Sequence, residues 1–440
     1  MGAQKTSVVC YISYFFSTFV SVIETLMKQY KLIYNEGGNF SAEAGLPASK
    51  SIANRALVIA ALCGADKNLN NLSDCDDTQA VIRALASNDE VKNIGAAGTA
   101  MRFLTAYYAI SSESVAMTGT ERMKNRPISI LVDALRTLGA DIEYVEKEGF
   151  PPLKINGKQL LGGELHVKGD VSSQYLSAIL MIAPYTLDGI KLIIEGDLVS
   201  RPYLQMTLSL MKEFGVNYTW NDNVIEISPS KYTPIEFTVE NDWSAASYWY
   251  SVVSLAENKS VKLKYLLPNS LQGDSHLVEL YKPLGVETEF VEVGVVLTKN
   301  KDVKLPAVYD ISLKEQPDLA QTLVVSCLLM NVPFRFSGLG NLKIKETDRI
   351  EALINECKKL GYVLKEIEPG VLCWNGEKCA PDSEIVIKTY EDHRMAMAFA
   401  PTVIKLGSII ISEPDVVSKS YPSFWQEFEK VLPCEINIID

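Results

Sequence analysis

The chain has 440 residues, 47% hydrophobic and 22% charged. That balance excludes a largely disordered or collagen-like protein and leaves room for two or three domains of about 100–200 residues each. Lys and Arg total 42 against 54 acids, a net charge of −12. No Lys/Arg block supplies the positive surplus that non-specific nucleic-acid binding needs, so the basic residues that matter are expected to be concentrated in one place. The 8 cysteines are too sparse for a disulfide framework, and the closest pairs, Cys63/Cys75 and Cys373/Cys379, lack CxxC spacing. With His166, His276 and His393 as the only histidines, no metal site is expected. Reduced thiols in a cytoplasmic protein fit this usage.

Ser7 to Ile23 is uncharged and rich in aromatics, but Ser13, Ser17, Thr18 and Ser21 interrupt it. One Lys5 precedes it and no small-residue cleavage motif ends it, so neither a signal peptide nor a membrane span is expected there. Met27 reads as the natural start, and residues 1–26 as a misassigned start or a disordered tail. Met27–Tyr34 then reads as an opening strand. Downstream, four amphipathic segments end alike: Leu131–Gly139, Leu208–Gly215, Leu277–Gly285 and Ala352–Gly361. Each Gly stands where a helix C-terminus turns left-handed, and each is followed by alternating runs typical of a hairpin. A second helix type, apolar on most faces, recurs in step at Ser51–Leu62, Thr99–Ala109, Ser173–Pro184, Ala245–Ala256, Leu319–Met330 and Arg394–Ile404. A last amphipathic helix is expected at Pro422–Leu432. The period is too long for a solenoid repeat of about 20–50 residues. The pattern predicts an α/β protein of six units in two groups of three. If two strands join the groups, the breaks fall near Pro47–Lys50 and Val239–Asp242. Residues 27–48 plus 242–440 would form one domain carrying both chain ends, and 49–241 the other.

The polar residues cluster at loop–helix junctions. Lys50 and Arg55 bracket a helix start, whose free N–H groups attract anions, with Ser49 or Ser51 as the expected cap. The glycines of Gly95-Ala96-Ala97-Gly98 would let backbone N–H groups approach an anion closely. Arg122, Lys124 and Arg126 precede a helix in which Pro127 is expected in the first turn. Ser172-Ser173-Gln174 opens another helix with groups suited to phosphate oxygens, and Ser200-Arg201-Pro202-Tyr203 occupies the matching loop of its repeat. Lys345-Glu346-Thr347-Asp348-Arg349 and Glu391-Asp392-His393-Arg394 pack charge into helix starts, and Ser418-Lys419-Ser420 adds a cation in the final loop. Burying an arginine at a helix start is costly unless a ligand or counter-ion pairs with it. An acidic chain whose cations converge in this way steers and holds small polyanions.

Taken together, SKSxxNRAL, AGTAMR, RPxxxLVDALRxLGA, SSQxLxAxLMxAP, LVSxPY, KETDR, DHRMAM and the final SKxYP run from about Leu46 to Lys430. In content and order this set resembles the 5-enolpyruvylshikimate-3-phosphate synthases (3-phosphoshikimate 1-carboxyvinyltransferases). The resemblance implies a two-domain inside-out α/β barrel of six units. It also implies transfer of the enolpyruvyl group of phosphoenolpyruvate to the 5-hydroxyl of shikimate 3-phosphate, with release of phosphate and with no metal or organic cofactor. It further implies that Lys50, Ser51 and Arg55 contact the shikimate substrate. Ser172, Ser173 and Ser200 would bind its phosphate side, Gln174 and Tyr203 would line the ring, and Asn341 and Lys345 would complete the pocket. Lys50, Gly98, Arg126, Gln174, Arg349, Arg394 and Lys419 would hold phosphoenolpyruvate, a task that suits bidentate guanidinium groups. Asp318 matches the family's base, Glu346 its proton donor, and Lys50 assists. An N-cap after Pro317 is a compatible structural role for Asp318. The implied partners are the two small substrates, with no nucleic acid and no membrane, and the expected state is a cytoplasmic monomer.

Four positions depart from the family's pattern. Ala96 replaces the usual Asn before AGT, Phe103 the usual Pro after the Arg, Ala48 a common Gly, and Ala53 a common Ser or Thr. They bear on the phosphoenolpyruvate-side loop and on glyphosate, which occupies that subsite in the family. The sister transferases acting on UDP-N-acetylglucosamine share the fold but carry a loop cysteine, and none falls in Met117–Arg126. A non-catalytic anion-binding protein on the same scaffold would be expected to lack Asp318, Glu346 or Lys50, and all three are present.

Overall fold

Strand pairing shows how the repeat is built. In one unit Val91–Asn93 lies parallel to Ser114–Thr118, with the buried helix Gly98–Ile110 between them in the chain. The amphipathic helix Ser129–Thr137 then leads into the hairpin Asp141–Tyr144 and Leu153–Asn156, whose second strand runs antiparallel to Ser114–Thr118. The computed structural model describes residues 28–35, 40–65, 68–257 and 259–439. The start expected at Met27, and the extension before it, lie outside those residues. Among the described residues the same order, two parallel strands and then an antiparallel pair, recurs in five four-stranded sheets. The unit that begins with the helix Lys50–Cys63 is reduced to a two-stranded pairing, Leu69–Asn70 parallel to Phe237–Thr238. Its second helix, Asp76–Ala86, ends at Ser87 without a left-handed glycine and runs into the next unit's first strand with no hairpin.

The expected glycine stops are visible in the backbone. Gly139, Gly215, Gly285 and Gly361 have φ of 101°, 86°, 78° and 92°, a region L-residues enter at a cost and glycine enters freely. The helix expected over Arg394–Ile404 is divided into His393–Phe399, a 3₁₀ turn Ala400–Thr402 and Val403–Leu406. Pro401 accounts for the break, because it lacks the N–H an uninterrupted helix would use. The sheet of Val386–Ile387 and Ser408–Ser412 is completed by Gln29–Tyr34, which lies between Ser408–Ser412 and Cys434–Ile439. The chain's first described strand thus closes its last unit.

Two hydrophobic cores result. One gathers Leu32, Ala44 and buried side chains from Trp243 to Cys434; the other runs from Ala48 to Val239. The chain passes between them twice. The two crossings pair antiparallel through Ala48 and Asn241, with Ser49 N–H donating to Glu240 O at 2.8 Å and Asp242 N–H to Pro47 O at 3.0 Å. Among the described residues no helix is long and apolar enough to cross a membrane.

Candidate active site

The helix starts predicted to carry charge open onto one cavity of about 590 Å³ between the two cores. From the second core come Lys50, Ser51, Arg55, Gly98, Arg126, Ser172, Ser173, Gln174, Ser200 and Tyr203; from the first come Asp318, Asn341, Lys345, Glu346, Arg349 and Arg394. Lys419 does not line this cavity. It lines a neighbouring one of about 420 Å³ that shares Asp77 and Arg126 with the first, and its Nζ meets Glu346 Oε1 at 3.1 Å.

Local structure explains these placements. Ser49 caps Lys50–Cys63, its hydroxyl accepting from Ile52 N–H at 3.4 Å, so Lys50 projects from the first turn. Lys50 Nζ pairs with Asp77 at 3.3 Å. Burial works against its charge, but Asp77, Cys75 and Glu346 together outweigh it and keep the ammonium protonated. Asp348 caps Arg349–Lys359 through the N–H groups of Ile350 and Glu351, both at 3.1 Å. Asp392 caps His393–Phe399 by accepting from Arg394 N–H at 2.9 Å.

Arg349 is the centre of the charge network. It is 1% exposed, and its guanidinium reaches Asp392 at 2.6 Å, Glu346 at 2.9 Å and Asp318 at 3.0 Å. Asp318 is also held by Arg394 at 3.2 Å and Lys345 at 3.4 Å. Burial by itself would raise the pKa of Asp318. Lys345, Arg394 and Arg349 outweigh it and hold the carboxyl well below the usual carboxylate range. At Glu346 burial is likewise overcome, by Lys419, Arg349 and Arg126, and this carboxyl too is held well below its usual range. Burial, and then the charges of Lys50 and Arg394, lower the pKa of His393 well below its ordinary value, which keeps this imidazole neutral.

Across the cavity, Gly98 lies under two guanidinium groups. A Cβ there would sit 2.6 Å from Arg126 Nη1 and 3.0 Å from Arg102 Nη1. Arg102 donates to Gln174 Oε1 at 2.7 Å, and Gln174 donates to Thr99 at 3.2 Å, which fixes the amide in the cavity wall. Among the described residues the Arg126 guanidinium has no hydrogen-bond or ion-pair partner; burial and then Arg102 pull its pKa down. A cation so placed is available to an anion. Arg55, in contrast, is largely engaged inside its own core. It donates to Thr207 at 2.7 Å, Ser51 O at 2.8 Å and Ser177 at 3.1 Å, over the Phe103 ring. Asn341 donates to Ser200 Oγ at 3.4 Å, linking the two walls.

Two local expectations need correction. Asp318 is not a helix cap: it lies inside the 3₁₀ turn Pro317–Leu319, with Gln316 at the cap position, and its oxygens are taken by cations instead. Pro127 is not in a first helical turn, because the helix starts at Ser129 with Ile128 as its cap; Arg122 and Lys124 sit on the separate turn Glu121–Lys124, and Arg126 lies in the loop between. Sequence reasoning also missed several supports. Asp392 anchors Arg349, Asp77 pairs with Lys50, and Arg102 pins Gln174. Asp274 accepts from Tyr203 at 3.0 Å and from Ser244. Among the described residues no group of three or more His, Cys, Asp and Glu is placed to hold a metal ion.

Cations from two α/β cores, converging around two partly buried carboxylates, define a cleft for small polyanions undergoing acid–base chemistry. A model of the family described as EPSP synthase (3-phosphoshikimate 1-carboxyvinyltransferase) matches residues 82–428. A 3-phosphoshikimate 1-carboxyvinyltransferase of Bacteroides fragilis is 55% identical over 386 residues, covering 88% of this chain and 94% of that protein. One from Vibrio cholerae is 34% identical, covering 89% of this chain and 97% of its own. The structure of EPSP synthase from Acinetobacter baumannii superposes with a TM-score of 0.73 at 19% identity, over 93% of this chain and 100% of that one. The chain belongs to the EPSP synthase family, and its fold is the family's two-domain α/β architecture.

Proposed function

We propose that the cavity transfers the enolpyruvyl group of phosphoenolpyruvate to the 5-hydroxyl of shikimate 3-phosphate. The observation that carries this reading is the enclosure of Asp318 and Glu346 by Lys345, Arg349, Arg394 and Lys419, with unpaired Arg126 opposite. Ser172, Ser173, Gln174, Ser200, Tyr203, Asp318, Asn341 and Lys345 are assigned to shikimate 3-phosphate, with Lys50, Ser51 and Arg55 beside them. Lys50, Gly98, Arg126, Gln174, Arg349, Arg394 and Lys419 are assigned to phosphoenolpyruvate. Two domains, 27–48 plus 242–440 and 49–241, supply the two walls. One chain thus provides the whole cavity, which supports a monomer; we place it in the cytoplasm.

In the addition step Asp318 takes the proton of the 5-hydroxyl as that oxygen bonds to C2 of phosphoenolpyruvate, while Glu346 gives a proton to the methylene carbon. In the elimination step the carbon returns a proton to Glu346, the C2–O bond to phosphate breaks, the proton taken up by Asp318 passes to the departing phosphate, and the vinyl ether and hydrogen phosphate leave. Glu346 must be protonated to begin, yet Lys419 and Arg349 hold it as a carboxylate. A phosphoenolpyruvate anion competing for the same two cations weakens that hold and lets the carboxyl take up its proton. Lys50, charged and next to Asp77, steadies negative charge developing nearby.

Phosphate release from phosphoenolpyruvate, assayed with shikimate 3-phosphate and UDP-N-acetylglucosamine side by side, tests the reading. Release with the first alone is expected. Release with the second alone would make the protein a sister transferase, and none with either would leave a binding protein.

A further inference from the structure

Arg122 has no role among the substrate contacts above, yet it reaches across the cleft to the backbone of a catalytic residue. It sits on the one-turn helix Glu121–Lys124. Thr120 caps that turn by accepting from Met123 N–H at 3.3 Å, and Asn125 closes it by donating to Glu121 O at 2.9 Å. From this fixed base one arm of the guanidinium donates to the main-chain oxygen of Glu346 and another to the Glu391 carboxylate.

Glu346 itself lies between the 3₁₀ turn Gly340–Ile344 and the helix that begins at Arg349. Its carboxylate is gripped by Lys419 and Arg349, which belong to the same side of the cleft as Glu346. Its main chain is gripped from the opposite side, by Arg122. The two grips therefore come together only when the walls meet.

We propose that Arg122 is a positioning residue for proton transfer, holding the Glu346 backbone in register with the reacting carbon when the cleft is closed. Glu391 acts as its counter-anchor. The planar fork of arginine suits the task because it serves two oxygens in different directions at once, which a lysine ammonium on one flexible stem does not. The inference rests on Glu346 being the proton donor, and the test separates the two claims. Displacing a reacting group by about 1 Å costs on the order of 10²-fold in rate, so Arg122→Ala is expected to lower kcat roughly 10–100-fold. Incorporation of solvent deuterium into the methylene carbon should slow by the same factor, while KM for shikimate 3-phosphate stays within about twofold. Arg122→Lys should recover part of the loss. Glu391→Gln, which leaves the backbone contact in place, should lose less than Arg122→Ala.

An Arg122→Ala enzyme whose turnover and deuterium incorporation match the wild type would overturn the proposal. So would a loss carried wholly by KM for phosphoenolpyruvate, which would make Arg122 a substrate cation. Should Arg122→Ala fail to fold, Arg122→Lys and Glu391→Gln decide by the same measurements: unchanged deuterium incorporation in both overturns it. Glu346→Gln is the control. If it keeps normal turnover, the proton-donor reading falls and takes this proposal with it. If it loses turnover while the Arg122 variants do not, only the positioning role fails.

Discussion

Arg394 holds Asp318 at two points, with Nη2 3.2 Å from a carboxylate oxygen and Nη1 3.2 Å from the same residue's main-chain oxygen. The cation assigned to one substrate is thereby locked to the base assigned to the other. An anion that draws Arg394 away also loosens the hold on Asp318 and makes it a better proton acceptor.

Asp318→Asn keeps the size of the side chain but removes its basic oxygen. Turnover is expected to fall about 10²–10⁴-fold, the usual contribution of a positioned acid or base. Phosphoenolpyruvate should bind more tightly to the variant, since Arg349 and Arg394 lose a competing negative charge. Calorimetric titration alongside steady-state rates checks both; normal turnover would remove Asp318 from the role of base.

Arg349→Met retains bulk and removes the charge shared by Asp318, Glu346 and Asp392. Asp392 is 0% exposed, so its carboxylate would be left buried without its partner at 2.6 Å. Breaking such a pair from one side costs about 3–5 kcal/mol. Urea denaturation should show that loss, and adding Asp392→Asn should restore part of it. No recovery in the double variant would argue against this pairing as the source.

Gly98→Ala places a methyl group where two guanidinium groups converge. Arg126 has to move, and KM for phosphoenolpyruvate should rise on the order of 10-fold, the cost of about 1.4 kcal/mol of lost binding. Constants for shikimate 3-phosphate should change little, because Ser172, Ser173 and Ser200 are on other loops. Equal weakening of both substrates would mean a general collapse of the wall.

Asp274 offers a test by pH. Burial, and then the nearby charge of Asp318, raise its pKa from 3.8 to about 6. Between those values the folded protein keeps a proton that the unfolded chain has released. The stability is therefore fully present below about pH 4 and lost as pH rises through about 6, amounting to about 3 kcal/mol. Asp318 and Glu346, with lowered values, act in the opposite sense, so the comparison has to be between wild type and Asp274→Asn. The variant's advantage should grow by about 2 kcal/mol between about pH 4.5 and pH 7. A difference independent of pH would show that Asp274 does not titrate in this range.

The sequence made the repeat legible because its stops are local: a glycine at a helix end adopts positive φ whatever surrounds it, as Gly139 and Gly361 do. Lys50, Arg349 and Arg394 were legible for a similar reason, since each stands in the first turn of a helix. The groups that hold them were not. Asp392 reaches Arg349 over a separation of 43 residues, Tyr203 reaches Asp274 over 71, and Arg122 reaches Glu346 over 224. Nothing in the neighbourhood of either partner announces such a pair. Asp392 was visible as part of a polar cluster, but its role depends on where another repeat places its arginine. Lys419 shows the converse: its charge was noticed, but its position on the far side of Glu346 follows from how the last loop packs.

Gln29 pairs with Ile439 in the sheet that closes the last unit. The first and last described strands therefore leave the molecule side by side, and the order of units has no structural beginning. A short linker joining these ends would let the chain be opened at a hairpin turn elsewhere, for instance between Asn221 and Val224. Exposed turns of that kind tolerate new termini. Such a circular permutant should keep both cores and the cleft between them, because every strand partner is retained.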